Sequence, residues 1–182
     1  MGLENSEELR LILTGRARLG LVFARHAYGM RAWVDLISPW IPEIDDPQMK
    51  AFVATLVADN ARHMLIFRDR AVAHGVDPDA YVCIDEGAAI YDRLAALDSL
   101  DELVGYAWGS LDHFAELLSV YADAGDAADL AAIEDVRADN DRNRAFLGEM
   151  VGPDGARLAQ EAHELYRMRE LVEAPRYARG YV

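Results

Sequence analysis

Ala58-Asp59-Asn60-Ala61-Arg62-His63 and, eighty residues later, Ala138-Asp139-Asn140-Asp141-Arg142-Asn143 are two versions of one hexapeptide, identical at four of six positions. Both sit inside long helical patterns, so an internally duplicated helical bundle is the simplest cause. Around the second copy, Ile133, Val136, Asn140, Asn143, Leu147 and Met150 repeat at steps of three and four. That is the spacing of a stripe facing a partner helix. Around the first copy, Val53, Leu56, Asn60, His63 and Phe67 do the same. Each stripe therefore carries two polar side chains in the middle of an apolar seam. A buried polar group without a partner costs about 1–3 kcal/mol. The pairs must satisfy one another or line a wet or ligand-filled pocket.

Punctuation divides the rest of the chain. Strand alternation is rare, and Ala, Leu, Glu and Arg outweigh β-branched residues. A first helix is expected from Ser6 to Ile37, stopped by Ser38-Pro39. Asp46-Pro47 opens a second, closed by Gly75. Residues Val76 to Asp98 form a connection with a short helix near Asp85–Leu97. Ser99 and Glu102 read as a capping box opening the third long helix. Gly125-Asp126 breaks it, a fourth follows to Gly152, and Pro153-Asp154 opens a fifth that ends before Pro175. The aromatic, basic tail from Arg176 is expected to pack on a surface or on a partner subunit. Two short connections around one longer link predict an all-α, four-helix bundle with one crossover, spanning about residues 6–152, plus a C-terminal helix and tail over 153–182. The 182 residues suit a single domain.

The duplicated hexapeptide resembles the Asp-Glu-x-Arg-His signature that occurs twice in ferritin-like diiron-carboxylate proteins. In that family the Glu and His, one turn apart, bind metal, and the Asp and Arg orient the histidines. Here Asp59, Arg62 and His63 match the first motif, and Asp139 and Arg142 match the second. Asn60, Asn140 and Asn143 stand where ligands are expected. In the first helix His26 takes the place of the ligating carboxylate, 33 residues before Asp59. In the third, Trp108 lies closest to the ligand position. Iron and manganese at such centres need several anionic oxygens, which neutral amides do not supply. The resemblance thus implies a ferritin-like fold with a degenerate site, no dinuclear centre and no cofactor. A single iron or manganese ion on His26, His63 and a carboxylate from elsewhere in the chain is the alternative.

The function this suggests is a metal-independent small-molecule enzyme or binding protein. His63, His26, Asp59 and Asp139 are the expected acid–base group, with the aspartates fixing one imidazole tautomer. Asn60, Asn140, Asn143, Trp108, Arg62, Arg142 and Tyr106 are the expected lining of a pocket at the bundle centre. Isomerisation, cyclisation or elimination suits such a set. Two readings stand beside it. One is a non-catalytic scaffold subunit of a diiron-type oxygenase. The other is an oxygenase or metal-binding protein with an unusual ligand set.

The remaining features narrow the partners. Net charge is −14, so phosphate backbones and anionic lipid heads are repelled. Neither nucleic acid nor a membrane is expected as a partner. MGLENSEELR does not read as a signal peptide, and a cytoplasmic homodimer is expected. The single cysteine, Cys83, has no internal partner for a disulfide. Asp112-His113 and Glu161-Ala162-His163-Glu164 read as solvated helix faces. Tyr28 and Tyr121 read as boundary residues, and His74 as a helix-end residue. Phosphate-binding glycine loops and serine or cysteine nucleophile motifs are absent.

Overall fold

The computed structural model describes residues 16–178, and all regular structure among them is helical. In chain order the helices are α1 (Arg16–Ile37), α2 (Pro47–Ala73), α3 (Asp85–Ala95), α4 (Leu100–Ala124), α5 (Ala127–Gly148) and α6 (Pro153–Ala178). Short 3-10 turns cover Ser38–Glu43 and Pro78–Ala80. The start of the first helix expected at Ser6 lies outside the described residues. No described helix is long and apolar enough to cross a membrane.

The helix ends follow the sequence signals closely. Asp46 caps α2 by accepting a hydrogen bond from the Met49 N–H at 2.7 Å, with Pro47 in the first turn. At the other end Gly75 adopts φ +80°, the left-handed conformation that glycine takes without a Cβ penalty. The Gly75 and Val76 N–H groups then donate to the Val72 and Ala71 carbonyls at 2.9 and 3.0 Å, satisfying two terminal acceptors. The Glu102 N–H donates to Ser99 Oγ at 3.3 Å, while the Glu102 carboxylate accepts from the Asp98 N–H one residue before the cap. Asp126 and Asp129 cap α5 reciprocally.

Two expectations are corrected here. The fourth long helix ends at Gly148 rather than Gly152, and Met150 is exposed rather than part of the seam. The last helix does not end before Pro175; it continues to Ala178 with Pro175 inside. A proline there removes one helical hydrogen bond and crowds the preceding turn. Side chains bridge that turn. The Tyr177 hydroxyl donates to Glu173 Oε2 at 2.9 Å, and Arg169 lies 3.8 Å from the same carboxylate. Arg169, Glu173 and Tyr177 are all buried, so the start of the expected tail is an internal part of the helix.

The chain divides into two compact units, each described by itself. The first, Gly20–Val82, is built on α1 and α2. Its core holds Phe23, Ile37, Val53, Leu56 and Phe67. Phe23 and Phe67 stack at 5.7 Å, and the His74 ring lies 5.6 Å from Phe23. At Gly20 any Cβ would stand 2.7 Å from the His74 Cβ, so only glycine lets α1 pass the end of α2 this closely.

The second unit, Cys83 onwards with the first turn of α1 up to Leu19, centres on α4. Helix α4 packs on α6 along its largest interface and on α5 along another, while α3 packs on α6. Arg93 of α3 donates from Nε to Glu161 Oε1 of α6 at 2.8 Å. The α4–α6 contact is made of small residues. A Cβ on Gly105 would stand 2.5 Å from the Gly155 Cα, and one on Gly109 would stand 2.6 Å from the Ala159 Cα. Both pairs step four residues along each helix in the same direction, so the two helices run parallel with backbones in near contact.

Candidate functional site

In both copies of the hexapeptide the polar pair, Asn60 with His63 and Asn140 with Asn143, faces inward, while Arg62 and Arg142 are exposed. In the first unit Val53, Leu56, Asn60, His63 and Phe67 are all buried on one face of α2. In the second, Ile133, Val136, Asn140, Asn143 and Leu147 are buried on one face of α5. The polar pairs therefore lie within apolar stripes, as their spacing predicts.

In the first unit the Asn60 amide donates to the Leu56 carbonyl of its own helix at 2.8 Å. His63 lies one turn from Phe67, and the His26 ring of α1 rests on Phe67 at 5.2 Å. Each histidine follows an arginine that reaches its ring. Arg25 Nη2 donates to His26 Nε2 at 2.9 Å, and Arg62 Nη2 lies 3.4 Å from His63 Nε2. A guanidinium only donates, so His26 Nε2 is the acceptor in this contact. Arg25 and His26 are both buried.

In the second unit Arg142 Nη1 donates to Asp139 Oδ1 within the same helix at 2.5 Å. Asp139 is buried while the Arg142 side chain is 52% exposed, so water weakens this pair. Asn140 differs from its counterpart. Its Nδ2 donates across to the Leu111 carbonyl of α4 at 3.1 Å. That bond fixes which end of the amide is oxygen. Asn140 is 1% exposed, yet its Oδ1 has no hydrogen-bond partner among the described residues.

The aromatic lining residues point elsewhere. Trp108 is half-buried and lies over the end of α5, its Nε1 3.1 Å from where a Gly148 Cβ would be. Gly148 is two turns from Asn140, about 12 Å at the helical rise. Tyr106 is buried and donates from its hydroxyl to the Ile90 carbonyl of α3 at 2.8 Å. Burial pushes the Tyr106 phenol far above its ordinary range, so it stays a neutral donor. Tyr121 is core rather than boundary. Tyr28 is half-buried beside Tyr81, at 5.3 Å, with the Arg31 guanidinium over its ring.

A second cluster escaped the sequence reading. His113 is 0% exposed and sits inside the α4–α6 interface, which corrects its assignment to a solvated face. It lies four residues beyond Gly109, as His163 lies four beyond Ala159. The parallel register that pairs Gly105 with Gly155 and Gly109 with Ala159 brings His113 to His163 at the next rung, ring centroids 5.1 Å apart. Glu116, one turn on from His113, places Oε2 3.7 Å from His163 Nε2. The ligand atoms of His113, Glu116 and His163 all lie within 4.8 Å of one another. The neighbouring carboxylates are engaged elsewhere. Asp112 receives a hydrogen bond from Arg144 of α5. Arg167 grips Glu164 at 2.6 and 2.8 Å and holds its carboxyl below the ordinary range. The sequence signal was present as small residues four apart on two helices, each followed four residues later by histidine.

No protein-family model, curated protein or solved structure matches the chain.

Proposed function

We propose that this is a ferritin-like helical protein whose duplicated motif has exchanged metal ligation for small-molecule binding. The polar seam around Asn140 and Asn143 recognises a small polar or aromatic molecule; in the other unit the seam around Asn60 and His63 carries the acid–base group suited to isomerisation, cyclisation or elimination. The Asn140 and Asn143 amides of the α5 seam orient the ligand. The observation that carries this reading is the buried Asn140 Oδ1. A buried acceptor with no protein donor carries a desolvation cost, and a ligand donor would remove it.

The test is chemical extraction of the purified chain followed by mass spectrometry, on the wild type, Asn140→Leu and His63→Ala. A small molecule released by the wild type and lost from Asn140→Leu supports the proposal. An empty wild type, or equal loading in all three, overturns it. Stability provides an independent reading. If Asn140 is kept for a ligand, Asn140→Leu changes the stability of the ligand-free protein by less than about 1 kcal/mol, because loss of the hydrogen bond to the Leu111 carbonyl offsets removal of the unsatisfied Oδ1. A loss of about 1 kcal/mol or more would mark the amide as structural.

A further inference from the structure

We infer that His113, Glu116 and His163 form a mononuclear site for a divalent first-row transition metal, with zinc or cobalt as the simplest occupants. The inference is independent of the polar-seam proposal and rests on different residues.

The glycine ladder explains why the site is built where it is. Gly105 against Gly155 and Gly109 against Ala159 draw the α4 and α6 backbones together. At the next rung two imidazoles face each other across a gap that larger neighbours would have widened. Glu116 adds a carboxylate from the same face of α4, at the i, i+3 position. Two imidazoles and one carboxylate are a ligand set suited to zinc, cobalt or ferrous iron.

The distances have the same meaning. At 3.7 Å, Glu116 Oε2 and His163 Nε2 are too far apart for a good hydrogen bond. Two atoms bound to one tetrahedral metal at ordinary bond lengths lie about 3.3–3.5 Å apart. At 3.7 Å the pair stands slightly wider than two atoms on one ion, so a small side-chain movement brings both onto a metal. Glu116 Oε2 is itself buried and has no hydrogen-bond partner among the described residues. The depth of the three groups is graded. His113 is fully buried, while the His163 and Glu116 side chains are 24% and 32% exposed. An ion can enter from the exposed side and be held from the inner one. Three protein ligands leave a fourth position open to water or an anionic ligand.

The experiment titrates the full-length, metal-free chain with Co2+ alone, read by visible absorption, and with Zn2+ alone, read by calorimetry. The wild type should take one equivalent per chain, with a visible Co2+ band. Loss of groups that merely support a ligand weakens metal binding about 10–100-fold, so loss of a ligand should cost at least about 100-fold. Glu116→Gln and His163→Ala should each do so while keeping wild-type helicity by circular dichroism. His63→Ala should bind as the wild type does. On the unaltered chain, Zn2+ should shift the imidazole nitrogen resonances of His113 and His163 and leave those of His26 and His63 in place. No metal uptake, wild-type affinity in both Glu116→Gln and His163→Ala, or loss of uptake in His63→Ala would each overturn the site. Because the seam variants and these variants are different, failure here leaves the small-molecule test untouched.

Discussion

In the α1–α2 hairpin, Phe23 stacks on Phe67 and the His26 ring lies on Phe67 in turn. Between α4 and α6 the corresponding contacts are Gly105 with Gly155 and Gly109 with Ala159. Both interfaces contain histidine, yet the outcomes differ. Large rings fill the hairpin interface, and His26 and His63 each meet an aromatic face or a guanidinium. Small residues let the α4 and α6 backbones touch, and the histidines that follow meet each other and a carboxylate. The neighbouring residues that do no chemistry, rings in one interface and glycines in the other, decide what an imidazole meets. Histidine count alone would not separate the two regions.

The comparison breaks most readily at the ring. Phe67→Ala removes the group on which both Phe23 and His26 rest, and should cost about 3–5 kcal/mol in urea unfolding. A loss below about 1 kcal/mol would mean the hairpin is not held by its rings. The converse change sharpens the other side. Gly109→Ala pushes a Cβ against the α6 backbone, which cannot rotate away, and should cost about 1–3 kcal/mol. It should also weaken Co2+ uptake, because separating the helices separates His113 from His163. Destabilisation with unchanged Co2+ affinity would uncouple the ladder from the cluster.

Smaller effects belong to the surface. Arg142→Ala breaks a pair that is half in water, and should cost less than about 1 kcal/mol and fade in high salt. The smallest effect is expected at Asp79, which ties the end of the hairpin to Arg68 at 2.6 and 2.8 Å. The hydrogen bond from Arg68 holds the Asp79 carboxyl below its ordinary range. A lowered folded-state value stabilises above the unfolded value, about pH 4 for aspartate, and that contribution is lost as pH falls through the folded value. The melting temperatures of the wild type and Asp79→Asn should therefore differ slightly at neutral pH and converge in acid. A difference that grows in acid would reverse the assignment.

Much of this was legible in the residues. Asp46-Pro47, Gly75, Ser99 and Gly125-Asp126 marked helix ends because caps and turns are local chemistry. Asn60, His63, Asn140 and Asn143 were placed on buried stripes because period and polarity sufficed. Pro175 misled, since a network of buried side chains on the same helix overrides a proline's local preference for ending it. His113 and His163 misled for a different reason. Their meaning depends on a helix register fifty residues apart in sequence, and only the packing of Gly105 and Gly109 supplies it. Trp108 was located by analogy with a ligand position, and its actual neighbour, Gly148, is a matter of side-chain direction that spacing does not give.

The central claim is that the duplicated motif holds a small molecule and no metal. Anomalous diffraction from crystals of protein purified without chelators tests it most directly. The account predicts no anomalous peak beside Asn60, His63, Asn140 or Asn143, and density for an organic molecule within hydrogen-bond distance of Asn140 Oδ1. Two metal peaks beside those residues, with Asn140 Oδ1 bonded only to protein, would contradict it.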